Sequence, residues 1–321
     1  MNRLYLQDAF PTAMQRLVKE WRDKVDGAAP KTDTTFVLVD GAIAGQEGRQ
    51  RLRDVYGAPF HPFDASVLAD YEELGLLVWP WHTLHTKDAL ETLRITLAGK
   101  PGLSFVQSGA GLPALCTTLA WLGAAETEDG MPLYLRIGDT RVLSSFLFRL
   151  RPDQEGRLHT AVSNWAWPER SGQLQRVVTE AMLDVQPAAG SLMLDNAQYA
   201  ALLDAAEVDM LHADVRAIEA KWVDKRSGSD LYQWLQALLP RMQALGITRP
   251  KDKWAFVSLA LRAPDNFESL TELGETWLRV RSGASELNAE VSQWKAAVEW
   301  QALQRLADAN AAAATAPSKR S

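Results

Sequence analysis

Short apolar runs separated by amphipathic stretches dominate the first half of the chain, and this alternation leaves few folds open. "FVLVDGA" (36–42), "LGLLVWPW" (74–81), "LSFVQS" (103–108) and "MPLYLRI" (131–137) are of strand length and rich in β-branched or aromatic residues. Between them, "TKDALETLRITLA" (86–98) and "LPALCTTLAWLG" (112–123) space their apolar residues at helical intervals. Pro113 suits a first helical turn and Gly123 a helix stop. The Arg-rich stretch from Gln46 to Val55 and "TRVLSSFLFRL" (140–150) read as further helices. Strands alternating with helices of this length predict an α/β class, a sheet with flanking helices in an N-terminal lobe.

The character changes after residue 150. "GRLHTAVSNWAWPERSGQLQRVVTE" (156–180) reads as two strands with a Trp-rich connection, and from Asp195 the pattern turns helical. Asp195 and Ser229 suit N-caps. Leu231, Leu235, Leu238, Leu239, Met242 and Leu245 form an apolar stripe that Gly246 ends, and Leu287, Val291, Trp294 and Val298 form a seam along a last helix. Leu17, Trp21 and Val25 mark an amphipathic helix over 12–25. The expected division is an α/β domain over 1–165, a mainly α-helical C-terminal lobe over 166–309 and a disordered tail over 310–321.

Composition narrows the functional classes. A hydrophobic fraction of 47% supports a full core without staples. The net charge of −6 argues against a broad nucleic-acid footprint. A single cysteine, Cys116, lies in an apolar helical context; it forms no internal disulfide and fits a reducing, cytoplasmic compartment. The N-terminus lacks a secretory h-region, and no apolar run is long enough for a membrane span.

Candidate chemistry is sparse. His82 and His85 in "HTLH" could share a helical face and bind a metal with Asp88 or Glu91. They follow "WPW" at a strand end, however, where a solvated loop is the simpler reading. Ser108 in "VQSGAGL" lies where a nucleophile elbow would place a serine, but Val106 stands where that motif needs glycine. Gly109 and Gly111 could form a backbone anion site or simply a tight turn. Trp79 with Trp81, and Trp165 with Trp167, are spaced to share a strand face. They are either core residues or an exposed aromatic platform for a partner. No catalytic set, metal site or cofactor motif is assigned.

"LYLRIGDTRVL" (133–143) places ions in an apolar run. Asp139 suits the N-cap of the helix that follows. Arg141 falls where the helix dipole disfavours a cation, so an acid should hold it, and Arg136 has the same need. Asp40, after the first strand, is the outstanding candidate, if neighbouring parallel strands bring it to the same sheet end. An Arg–Asp clamp is the stronger reading over catalysis.

These runs, in this order, resemble the type VI secretion effector adaptors, or effector chaperones. That family carries a Leu-x-Asp-Gly/Ala strand end, matched by Asp40 and Gly41. It also carries an Arg-aromatic-x-Asp-Pro-Arg-Val/Ile-Leu segment, matched by Arg136, Asp139, Arg141, Val142 and Leu143. Thr140 replaces the usual proline, "LGLLV" lacks the family's preceding proline, and Leu119-Ala120 stands for Leu-Arg. The resemblance spans about residues 36–150. It implies a non-enzymatic cytoplasmic adaptor that binds a secreted effector and loads it onto the VgrG spike, sometimes with a PAAR-tip protein. It implies no nucleic-acid or membrane partner. The competing readings are a hydrolase using His82 and His85 or Ser108, and a structural component of the secretion apparatus.

Overall fold

The computed structural model describes residues 34–63, 75–81, 87–169, 173–178, 188–223, 226–263 and 265–294, with Arg16, 18–20, 301–303, Arg305 and Asp308. His82, His85, Trp21, Val298 and the expected tail lie outside the described residues. The chain divides into two compact units, 1–207 and 208–321.

In the first unit, β1 (Thr34–Asp40), α1 (Gly41–Tyr56), β2 (Leu76–Pro80), α2 (Lys87–Leu97), β3 (Leu103–Ser108) and α3 (Gly111–Gly123) follow one another. Then come β4 (Ala124–Thr127), β5 (Pro132–Tyr134), α4 (Thr140–Leu147), α5 (Pro152–His159), β6 (Asn164–Pro168), β7 (Leu174–Val178) and β8 (Leu192–Leu194). One sheet runs β2-β1-β3-β6-β7 and a smaller one β5-β4-β8.

β1 reads as an unbroken apolar run because both of its faces are covered. Phe36 and Leu38 join Val106 and the α3 residues Leu115 and Leu119 in one core cluster. Val37 and Val39 join Leu52 of α1 and Leu93 and Leu97 of α2 in another. Parallel neighbours are not what the larger sheet contains: β1 is antiparallel to both β2 and β3. The strands β2 and β3, linked through α2, run the same way, and β1 is inserted between them. Among the described residues, the one parallel ladder pairs β4 with β8 in the smaller sheet.

Two further expectations are corrected. The tryptophans share faces as their spacing predicts, but Trp79, Trp81, Trp165 and Trp167 are only 1%, 3%, 0% and 0% exposed. They are core, not a surface platform. Trp79 donates its indole N–H to the Gly57 carbonyl at 3.1 Å, Trp165 to Ser104 Oγ at 3.1 Å and Trp167 to Ser144 Oγ at 3.0 Å. A buried indole needs such an acceptor. The domain boundary lies at 207 rather than 165, because β6 and β7 complete the larger sheet and β8 the smaller.

A buried polar network fastens β8 and the following helix, α6 (Asn196–Ile218), to α5. Gln154 donates to the Met193 carbonyl at 2.7 Å, and Gln198 donates to Gln154 Oε1 at 2.7 Å and to the Arg149 carbonyl at 2.7 Å. Asp195 caps α6 as expected, accepting from the Gln198 amide at 2.8 Å.

The second unit is helical: α7 (Ala220–Val223), α8 (Gly228–Ala244), α9 (Pro250–Arg262), α10 (Gly274–Arg281) and α11 (Leu287–Gln293). The N-cap of α8 is Ser227, not Ser229; its hydroxyl accepts from the Asp230 amide at 3.0 Å. The stripe Leu231, Leu235, Leu238 and Met242 packs with Phe256, Phe267 and Trp277. Gly246 turns the chain after α8 with φ of 72°.

Two arginine–glutamate forks brace this unit. Arg241 grips Glu268 with contacts of 2.5 and 2.6 Å and lies over the Phe256 and Phe267 rings. Arg279 holds Glu290, with Nε to Oε1 at 2.9 Å. Burial works against the Glu268 carboxylate, yet the Arg241 hydrogen bonds hold its pKa below the ordinary 4.5, and Arg279 does the same for Glu290. A lowered folded pKa contributes stability that is intact above the unfolded value and is lost as pH falls through the folded one. The melting temperature of the helical unit should therefore drop as pH falls below about 4.5, and Glu268→Gln should flatten that drop in a pH series of thermal melts.

Candidate functional site

The ionic cluster anticipated around Asp40 is assembled from three chain segments. Asp40 ends β1 and is also the N-cap of α1, with Oδ1 accepting from the Ile43 amide at 2.8 Å. No turn separates the strand from the helix. The Asp40 amide donates to the Gly102 carbonyl at 3.0 Å and that of Gly41 to the Gly75 carbonyl at 2.8 Å. Gly41 is buried, and its carbonyl accepts from Arg49 Nη1 at 3.0 Å.

Arg136 reaches Asp40 not from a neighbouring strand but from the turn after β5, where the Asp139 amide donates to the Arg136 carbonyl at 2.9 Å. Its Nη2 donates to Asp40 Oδ1 at 2.8 Å. Gly138 presses against the same aspartate. A Cβ there would lie 2.9 Å from Asp40 Cβ and 3.0 Å from Asp40 Cα. The Thr140 amide donates to the Pro101 carbonyl at 2.8 Å, tying the turn to the loop before β3.

Asp139 caps α4, accepting from the Arg141 amide at 3.1 Å. The Arg141 side chain folds back onto the same carboxylate, with Nε to Oδ1 at 2.9 Å and Nη2 to Oδ2 at 2.6 Å. The acid that a cation in the first helical turn demands is thus the cap residue itself.

Desolvation falls chiefly on the acid of the Asp40–Arg136 pair, whose side chains are 1% and 38% exposed. Burial pushes the Asp40 carboxyl above its ordinary 3.8 despite the opposing pull of Arg136 and the Ile43 amide. Its second oxygen, Oδ2, is buried with no hydrogen-bond partner among the described residues. Burial, with the Asp40 charge adding to it, pushes the neighbouring Tyr134 phenol up to about 12.

Chemically, the cluster is a pair of capped, ion-paired carboxylates. Both acids are committed to helix N-termini and to guanidinium groups, an arrangement that fixes backbone rather than moves protons. Ser108 sits apart at the end of β3, 1% exposed, and its hydroxyl has no hydrogen-bond partner among the described residues. Among the described residues, no base is placed to activate it. Among the described residues, no group of three or more His, Cys, Asp or Glu is placed to hold a metal. Cys116 is half-buried. Among the same residues, no helix is long and apolar enough to cross a membrane.

Gly138 and Gly102 are the site residues that sequence reasoning passed over. Their role is close approach: a Cβ on Gly102 would meet Ile43 Cγ2 at 2.8 Å. Nothing in residue spacing marks a glycine as touching a strand end far away in sequence. Gly138→Ala should lower stability by about 1–3 kcal/mol, because backbone rather than a flexible side-chain tip blocks the added methyl. A denaturant titration checks this, and an unchanged midpoint would refute the contact.

No curated protein and no solved structure matches the chain. A family model does: residues 35–157, the stretch that runs from β1 through the Asp40–Arg136 clamp and into α5, match the Domain of unknown function (DUF4123).

Proposed function

We propose that this chain is a non-enzymatic adaptor that binds a type VI secretion effector in the producing cell's cytoplasm and helps load it onto the VgrG spike. The observation that carries the reading is the clamp. The residues on which the resemblance rests, Asp40, Arg136, Asp139 and Arg141, meet as two ion pairs whose carboxylates cap helices. A motif used this way defines a stable platform, and a platform without a committed reaction suits recognition. The domain match over residues 35–157 covers the same motif.

Deletion of the gene in a host with an active apparatus tests the proposal. One effector should disappear from the secreted fraction, with the loss of the killing it causes, while the sheath still fires. Full secretion and killing after deletion would remove the adaptor reading.

A further inference from the structure

We propose that the outer edge of β7 takes an extended segment of a partner protein as an added antiparallel strand, with an acidic residue facing Arg176. β7 ends the larger sheet, whose order is β2-β1-β3-β6-β7. Its pairing with β6 fixes which backbone groups turn outward. The Glu169 amide donates to the Gln173 carbonyl at 2.9 Å, and hydrogen-bonded pairs recur at every second residue of an antiparallel ladder. Gln175 and Val177 therefore direct their amides and carbonyls to Trp167 and Trp165. Leu174, Arg176 and Val178 present theirs to the outside, where no strand takes them up among the described residues. Pro168, which has no N–H to give, stands opposite Leu174, as this register allows.

The other sheet edges of this unit are blocked. Phe60 exchanges both backbone bonds with Val78 on the outer side of β2, at 2.9 and 3.0 Å. β5 is three residues long and opens with Pro132. The Met193 carbonyl of β8 accepts from Gln154 at 2.7 Å and from Arg151 at 3.2 Å. Short strands, proline and covering side chains are how sheets avoid unwanted pairing. β7 has neither proline nor lysine, and Val178 at its end is 63% exposed.

The occupant is an extended polypeptide, because only a backbone supplies donors and acceptors at the two-residue repeat of Leu174, Arg176 and Val178. A second copy of this chain fits poorly. A two-fold antiparallel pairing centred on β7 sets Arg176 against its own copy, and like charges directly opposite are destabilising. Five residues a side also fall far short of the about 20–30 that a stable dimer interface needs. A foreign strand can instead place a carboxylate opposite Arg176, whose Nη2 holds Glu20 and whose Nε has no acceptor among the described residues. Two positions to either side, the incoming strand faces Leu174 and Val178, so apolar residues belong there. This deepens the adaptor reading and rests on it only in taking the partner to be a protein.

The test uses the full chain and a fluorescein-labelled peptide, Thr-Val-Thr-Glu-Thr-Val-Thr, followed by anisotropy. Binding is expected, weakened about tenfold by Val178→Pro, which removes one outward N–H and leaves the bonds to β6 intact. N-methylation of the peptide's valines and glutamate, whose amides face β7, should abolish binding, whereas N-methylation of its threonines should not. That comparison needs no variant, so it stands even where Val178→Pro proves unstable in thermal melts. Arg176→Glu should shift the preference to a peptide with lysine at its centre. Leu278→Ser, in the helical unit, should leave binding unchanged. Absent binding, equal binding of the two methylated peptides, or a dimer in sedimentation that Val178→Pro dissolves would overturn the proposal. Undiminished recovery of effector and spike by a stably folded Val178→Pro chain would remove this surface and leave the adaptor reading standing. Peptide binding with no effector or spike recovered would do the reverse.

Discussion

Asp40→Ala lowers the unfolding free energy by about 2–4 kcal/mol, combining a lost N-cap with the loss of the partner of a half-exposed guanidinium. The substitution removes the N-cap of α1, whose Oδ1 to Ile43 amide contact is 2.8 Å, and strands Arg136 beside a cavity. Asp40→Asn separates these losses. Asparagine is an equally good N-cap and carries no charge to desolvate, so it should cost less than alanine. The two also differ in pH response. Because the Asp40 carboxyl is raised above 3.8, the folded state binds its proton more readily than the unfolded chain. Acidification through the raised folded value therefore favours the wild-type fold, an effect complete below the unfolded pKa and absent above the folded one. The gap between wild type and Asp40→Asn should widen as pH falls through that window. Equal stability of Asp40→Ala and wild type in urea titrations would mean that the clamp fixes nothing.

Trp165→Ala should be of similar size, about 3–5 kcal/mol, because a fully buried indole is replaced by a void. Trp165 is 0% exposed and its indole N–H is bonded to Ser104 Oγ at 3.1 Å. Trp165→Phe keeps most of the packing and leaves Ser104 without its donor, so a smaller loss of roughly 1–3 kcal/mol is expected. Calorimetric melts of both variants discriminate core from surface. A surface platform would give the opposite signature, unchanged melting with lost partner binding.

What could be read from the sequence depended on how local its cause was. β1, β2 and β3 were legible because burial on both faces leaves an uninterrupted apolar run. Their orientation was not, since inserting β1 between β2 and β3 changes no local pattern. The paired tryptophans showed which residues share a face but not which side is covered, and helices distant in sequence decide that. The boundary slipped from 207 to 165 because β8 is only three residues long and shows no periodicity. Asp195 was recognisable as a cap because its partner lies three residues on. The cap of α8 is Ser227 and not Ser229 because the helix already begins at Gly228, a start that no local pattern marks.

The site followed the same logic. Charges in an apolar run announced that Arg136 and Asp139 needed partners, and Asp40 offered itself at a strand end. The route by which Arg136 arrives was hidden, because the turn after β5 reaches Asp40 through Gly138 and the backbone of Pro101 and Gly102, none of which carries a chemical signal.

The most direct test of the adaptor account is affinity purification of the tagged full chain from host cells with an active type VI apparatus, with partners identified by mass spectrometry. The account predicts recovery of a VgrG spike together with one secreted toxin. Recovery of the chain alone from such cells would contradict it.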